Sequence, residues 1–128
     1  MKYLLDTHAL LWWLADDGRL GRRARDVIED PGNDVLVSIV SLWEIAVKTR
    51  IGKLRADIGD IEEAPRQQGF PLLGIGIAHL LILVGLRVHH RDPFDHLLIA
   101  QAIAEDAAFI SGDRHAFQYP VRVVNCLG

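Results

Sequence analysis

The chain is poor in the features that would take it outside an ordinary folded domain. Its single cysteine, Cys126, can form no internal disulfide, which excludes a stapled scaffold and is compatible with a reducing compartment. Nor is there a set of Cys and His at zinc spacing. His89 and His90 are adjacent, so their side chains diverge, while His8, His79, His96 and His115 read as structural or supporting groups. The longest greasy run, Gly74 to Leu86, is too short to span a bilayer and carries His79. Asp6 stands where a secretory signal would still be apolar, so no signal peptide and a cytoplasmic location are expected. Neither G-x-G-x-x-G nor a P-loop occurs, which argues against a nucleotide-binding enzyme. With 14 Lys and Arg against 17 Asp and Glu, the net charge of −3 argues against coating nucleic acid by bulk attraction. No internal repeat or low-complexity stretch appears.

What is present is the balance of a compact globular protein, 50% hydrophobic and 24% charged, in 128 residues. That length predicts one domain over 1–128 with a core of its own. Lys2 to Asp6, Val35 to Ser38, Phe70 to Gly74, Ala107 to Ser111 and Val121 to Val124 read as short buried strands. Helices are expected over His8 to Ala15, with Thr7 available as a cap, over Leu20 to Asp30, and from Ser41 to Arg50. Further helices are expected over Asp60 to Gln68, interrupted at Pro65, and over Ile77 to Leu83, closing at Gly85. The alternation predicts an α/β fold in three layers, helices on both sides of a mostly parallel sheet of about five strands.

The central stretch runs from Arg91 to Ala102. Asp92 is a good N-cap, Pro93 fits the first helical position, and the helical rhythm continues to Glu105 or Asp106. Asp95 falls in the first turn, where the macrodipole favours negative charge. Ser41 and Glu44 match a capping box, S-x-x-E, which offers Glu44 a structural role. Ligands of an open parallel sheet bind beyond the carboxyl ends of its strands. Asp6 and Asp113 lie at or just past such ends, and Glu44 and Asp95 are expected in first turns of helices that start at the same edge. Topology alone therefore delivers four carboxylates to one edge. Neighbouring carboxylates repel by roughly 4 kcal/mol per pair at an effective dielectric of 20, so the cluster calls for a counterion. All-oxygen ligation suits Mg²⁺ or Mn²⁺ rather than zinc.

Asp6-Thr7-His8, Ser41-Leu42-Trp43-Glu44-Ile45, Arg91 to Ala102 and Ser111-Gly112-Asp113, in this order, resemble a PIN domain, and within that family the VapC-type toxins of prokaryotic toxin–antitoxin pairs. The resemblance covers essentially the whole chain. It implies a PIN fold, Mg²⁺- or Mn²⁺-dependent endoribonuclease activity and inhibition by a small cognate antitoxin, through which alone DNA would be met. Carried over by position, Asp6, Glu44, Asp95 and Asp113 are the metal-binding and catalytic acids, with Glu44 left between metal ligand and orienter of the attacking water. Thr7, Ser111 and Asp92 are supporting residues, Ser111 standing where the family often has threonine. The basic runs offer Arg22, Arg23, Lys48, Arg50 and Lys53 to hold RNA phosphates. Two other readings remain: a phospho-receiver-like Mg²⁺-binding signalling module, which wants paired acids after the first strand and a lysine after the last, and a non-catalytic interaction module. The helix from His8 to Ala15 is apolar nearly all round, which predicts that its second side is covered by a homodimer partner or by antitoxin.

Overall fold

The computed structural model describes residues 1–127. Its sheet contains β1 (Lys2–Leu5), β2 (Asp34–Ser38), β3 (Leu72–Leu73), β4 (Ala108–Ser111) and β5 (Val123–Asn125) in the order β3-β2-β1-β4-β5. All four neighbouring pairs are parallel. The chain winds outwards from β1 in both directions, so the strand order reverses between β1 and β4. That is a topological switch point, where open α/β sheets bind their ligands. The order also differs from the 2-1-3-4-5 order of flavodoxin-like receiver domains.

The helices are α1 (Thr7–Leu14), α2 (Arg22–Glu29), α3 (Ile39–Arg50), α4 (Ile58–Gln67), α5 (Ile77–Gly85) and α6 (Pro93–Ala104), with a 3-10 helix over Arg114–Gln118. Strand alternation sorts the core into two layers. Leu5, Val35, Val37, Ala108, Ile110 and Val124 pack with Ala9 and Leu10 of α1, Ala24 and Ile28 of α2 and Ile61 of α4. Leu4, Leu36 and Phe109 pack with Leu97, Leu98, Ile99 and Ala102 of α6. The expected three-layer parallel architecture is therefore present.

Several expected boundaries move. The capping box of Ser41 and Glu44 does not form. β2 runs straight into α3, whose N-cap is Ser38, with its Oγ accepting from Val40 N–H at 3.0 Å. The β-branched Ile39 and Val40 look like strand, yet they form the first helical turn, and Glu44 consequently lies beyond it. Asp6, rather than Thr7, caps α1, its Oδ1 accepting from Ala9 N–H at 2.7 Å. Pro65 does not interrupt α4. It sits in the last turn of a helix that Asp57 caps three residues before the expected start. The third strand is shorter than expected because it lies at the sheet edge beside Pro71, which has a carbonyl for Val37 N–H (3.0 Å) but no N–H to donate.

Helix ends are equally local. After α3, Gly52 N–H donates to Thr49 O and Lys53 N–H to Lys48 O, a Schellman pair that places Gly52 at φ +78°, a conformation favouring glycine. Gly69 closes α4 in the same way, whereas Asp16 and Asp106 take the left-handed position after α1 and α6.

A buried polar bracket ties α6 to the ends of the neighbouring strands β2 and β3. The Gln101 side chain is fully buried; its Oε1 accepts from Ser38 Oγ at 2.5 Å and its Nε2 donates to Gly74 O at 3.1 Å. His79, beside it, accepts from Gly76 N–H at 2.9 Å and donates from Nε2 to Glu105 at 2.9 Å. Gln101→Met, close to isosteric, leaves the Gly74 carbonyl and the Ser38 hydroxyl without their partner. It should lower unfolding free energy by about 1–3 kcal/mol, measured by urea denaturation.

Candidate active site

At the switch point, Asp6, Glu44, Asp92, Asp95 and Asp113 line one cleft of about 360 Å³, together with Thr7, His8, Trp12, Arg19 and Gly112. Each acid arrives by a different local route. Asp6 extends β1, donating its N–H to Ile110 O at 3.0 Å before its side chain caps α1. Asp113 follows β4 and caps the 3-10 helix, Oδ1 accepting from His115 N–H at 2.9 Å, while its own N–H donates to Ser111 Oγ at 3.1 Å. Asp92 caps α6, accepting from Phe94 N–H at 3.0 Å and Asp95 N–H at 3.2 Å, which orients the first turn and with it Asp95. Gly112 is needed for space: a Cβ there would lie 2.9 Å from Leu127 Cγ and 3.2 Å from Cys126 Sγ.

Glu44 is held differently. It is 2% exposed, accepts from Thr7 Oγ1 at 2.6 Å through Oε1, and pairs through Oε2 with Lys48 Nζ at 2.6 Å, one helical turn on. Donating this bond to Glu44 raises the Lys48 pKa against the opposing effect of burial. Lys48, one of the expected phosphate contacts, is thus engaged within the site. Thr7 Oγ1 also lies 3.2 Å from Ser41 Oγ, which ties α1 to α3.

The charges are strongly interdependent. Burial pushes the Asp95 carboxyl up to about 8, helped by the charge of Asp92 and by a hydrogen bond with Asp113. For Asp113, burial pulls upwards, but the His115 N–H and the bond from Asp95 hold it below its ordinary value. Burial raises Asp6 as well, partly offset by the Ser111 hydroxyl and the Ala9 N–H. Without a cation the site therefore keeps a proton between Asp95 and Asp113. Burial raises the Cys126 thiol to about 12, and the neighbouring Asp6 charge adds to it, so the one cysteine is an inert thiol under the site.

A family model for the PIN domain matches residues 3–121. The chain belongs to the PIN domain family. Among solved structures, this PIN domain is similar to the VapBC2 complex of Rickettsia felis bound to a promoter DNA fragment, at 15% identity and TM-score 0.74, covering 98% of each chain. It is also similar to VapBC-1 of nontypeable Haemophilus influenzae, at 15% identity and TM-score 0.69 over 100% of both chains, and to FitAcB of Neisseria gonorrhoeae, at 18% identity and TM-score 0.61 over 98% and 97%. No curated protein matches the chain. PIN domains as a family are nucleases that generally use a divalent cation. The donor set here fits one: hard carboxylate oxygens converge on one cleft, and Asp95 is left protonated when nothing neutralises its neighbours.

The basic residues divide. Arg19, Lys48, Lys53 and Arg55 line a second hollow that adjoins the acidic cleft through Thr7, His8, Trp12 and Arg19. Arg19, which the sequence reading did not single out, lies over the Trp12 ring, 5.2 Å from its centroid. Arg22 and Arg23 instead line a shallow hollow with Tyr3, Asp26 and Asn33, and Arg50 is exposed at the last residue of α3.

The PIN cleft's proton has a consequence for stability. A carboxyl whose native pKa is raised from 3.8 to about 8 stabilises the fold below pH 4, and that contribution is lost as pH rises to about 8. Asn at position 95 removes the titration but can still donate to Asp113. In EDTA, the stability of Asp95→Asn relative to wild type should therefore increase between pH 5 and pH 8, measured by paired urea titrations. A gap independent of pH would show Asp95 to be ordinarily ionised.

Proposed function

We propose that this PIN domain is a divalent-metal-dependent endoribonuclease and the toxin of a toxin–antitoxin pair, working in the cytoplasm. The observation that carries the nuclease reading is the convergence of Asp6, Glu44, Asp92, Asp95 and Asp113 on one cleft beside a basic hollow. Bound Mg²⁺ or Mn²⁺ would supply a water of lowered pKa and positive charge facing the scissile phosphate. Asp6, Asp95 and Asp113 would hold the cation, each already oriented by a helix N-terminus or by Asp92. Glu44, with both oxygens engaged by Thr7 and Lys48, is assigned to aligning the attacking water and setting the charge of the cleft wall. Ser111 positions the Asp113 backbone. Lys53, with Arg19 and Arg55, would position RNA phosphates without reading sequence, and Arg22, Arg23 and Arg50 would contribute only a more distant basic surface.

Excess EDTA should abolish RNA cleavage, and Mg²⁺ or Mn²⁺ should restore it. Full activity in EDTA after repurification would end the reading. Within α6 the two acids separate. Asp92→Ala should cost about 1 kcal/mol of stability and keep appreciable metal-dependent cleavage, whereas Asp95→Asn should lose most of it.

The toxin role rests on likeness to solved toxin–antitoxin complexes, one of them from Klebsiella pneumoniae at 20% identity and TM-score 0.61. On that likeness a cognate antitoxin is assigned as the inhibiting partner, through which alone the chain would meet DNA. We also propose a homodimer, but through a different surface from the expected one. The α1 helix is half-covered: Trp13 packs on Phe70 at 5.2 Å between ring centroids, and Trp12 lies under Arg19. The bare apolar face belongs to α5, where Ile77, Leu81 and Val84 are 71%, 70% and 87% exposed, continued by Val88. Such a patch has no charge of its own to match a charged partner and suits a second copy of itself. Leu81→Glu with Val84→Glu should convert a dimer to a monomer in light scattering at micromolar concentration. A wild-type monomer with or without antitoxin would contradict the proposal.

A further inference from the structure

His89 and His90 both pack against Tyr119, and one of the two imidazoles reaches the acids. His89 turns to the edge of Tyr119, with centroids 4.8 Å apart. His90 also meets Tyr119, with centroids 5.5 Å apart, but its Nε2 lies 3.4 Å from Asp95 Oδ2. Among the described residues, His90, Asp95 and Asp113 form the one group whose ligand atoms all fall within 4.8 Å of one another. Donors bonded to one ion at about 2.1 Å lie about 3 Å apart when adjacent and about 4.2 Å apart when opposite, so the three side chains would draw together around a bound cation.

The ring is fixed from every side. Its side chain is only 9% exposed. Its Nδ1 lies 2.8 Å from the buried Tyr119 hydroxyl, whose oxygen is itself anchored by His89 N–H at 3.0 Å. His115 stacks on it at 5.1 Å and 11°, and His96 Nε2 donates to the His90 carbonyl at 2.7 Å. The Tyr119 oxygen can accept from Nδ1–H, and in that tautomer the Nε2 lone pair faces Asp95 and Asp113. This is the orientation that outer hydrogen bonds impose on metal-binding histidines. A ring braced this thoroughly beside two carboxylates is more than a spacer.

We propose that His90 is a nitrogen ligand of the cation held by Asp95 and Asp113, and that it makes this site prefer Mn²⁺ to Mg²⁺. The proposal rests on the metal-dependent nuclease reading and adds a ligand to it. Imidazole is a good donor to transition metals, whereas Mg²⁺ selects oxygen and retains its waters. Tyr119 acts on the cation only through His90 and is a positioning residue.

The test is pulsed electron paramagnetic resonance on the full chain loaded with Mn²⁺ alone, with Mn²⁺ and Mg²⁺ affinities measured by titration and competition. Wild type should show electron-spin-echo modulation from a directly bound ¹⁴N. His90→Gln should lose that modulation and weaken Mn²⁺ by about tenfold or more, with a much smaller change for Mg²⁺. Tyr119→Phe should keep the nitrogen modulation while weakening Mn²⁺ by about tenfold. Mn²⁺ bound through oxygen alone in wild type, or nitrogen modulation surviving in His90→Gln, overturns the His90 proposal and leaves the nuclease reading standing. Failure of wild type to bind Mn²⁺ at all overturns both. The wild-type spectrum decides the matter even if His90→Gln does not fold.

Discussion

Asp6, Asp92 and Asp113 each accept hydrogen bonds from the first turn of the helix that follows them, and the acidic edge depends on this arrangement. The sheet order brings the beginnings of α1, α6 and the 3-10 helix to the same edge, so the positive ends of their dipoles surround the carboxylates. Each cap contributes about 1 kcal/mol and each dipole contact about 0.3–1 kcal/mol. Repulsion at roughly 4 kcal/mol per close pair exceeds what capping supplies. The remainder is met by Lys48 against Glu44 and by the proton retained on Asp95. A divalent cation would replace that proton. The fold is thus able to assemble its site without metal, while leaving it one cation short.

The parts of this design that were legible in the sequence are those decided over a few residues. Val35 to Ser38 and Ala107 to Ser111 declare themselves by buried β-branched and aromatic composition, and Asp92-Pro93 marks the start of α6 by the chemistry of capping. Once strands and helices alternate, topology places Asp6, Asp95 and Asp113 at one edge without any knowledge of contacts. The same argument placed Glu44 there by an expected first-turn position, and the structure does line the cleft with it, although from further along α3.

What could not be read depends on distant partners. Ser41 and Glu44 spell a capping box, but Ser38 wins the cap because Ile39 and Val40 gain burial by entering the helix at the sheet edge. Helices α1 and α5 look equally apolar as sequence. Only packing reveals that Phe70 and Arg19 cover the tryptophans of α1 while Leu81 and Val84 stay exposed among the described residues. Adjacency suggested that His89 and His90 diverge, yet both pack against Tyr119, some 30 residues further on, whose hydroxyl orients the one that meets Asp95.

The acids of the cleft therefore divide by what would happen to them in an empty site. Asp6 and Asp113 have structural partners in their own helix N-termini and remain useful to the fold with or without a cation. Glu44 carries its own counterion in Lys48. Asp95 has neither: it is largely buried, its backbone N–H is spent on Asp92, and its side chain meets Asp113 and His90 beside the further charges of Asp92 and Asp6. A residue with this little structural compensation is the one whose charge the bound ion must stabilise, and cation affinity and fold stability are coupled most directly through it.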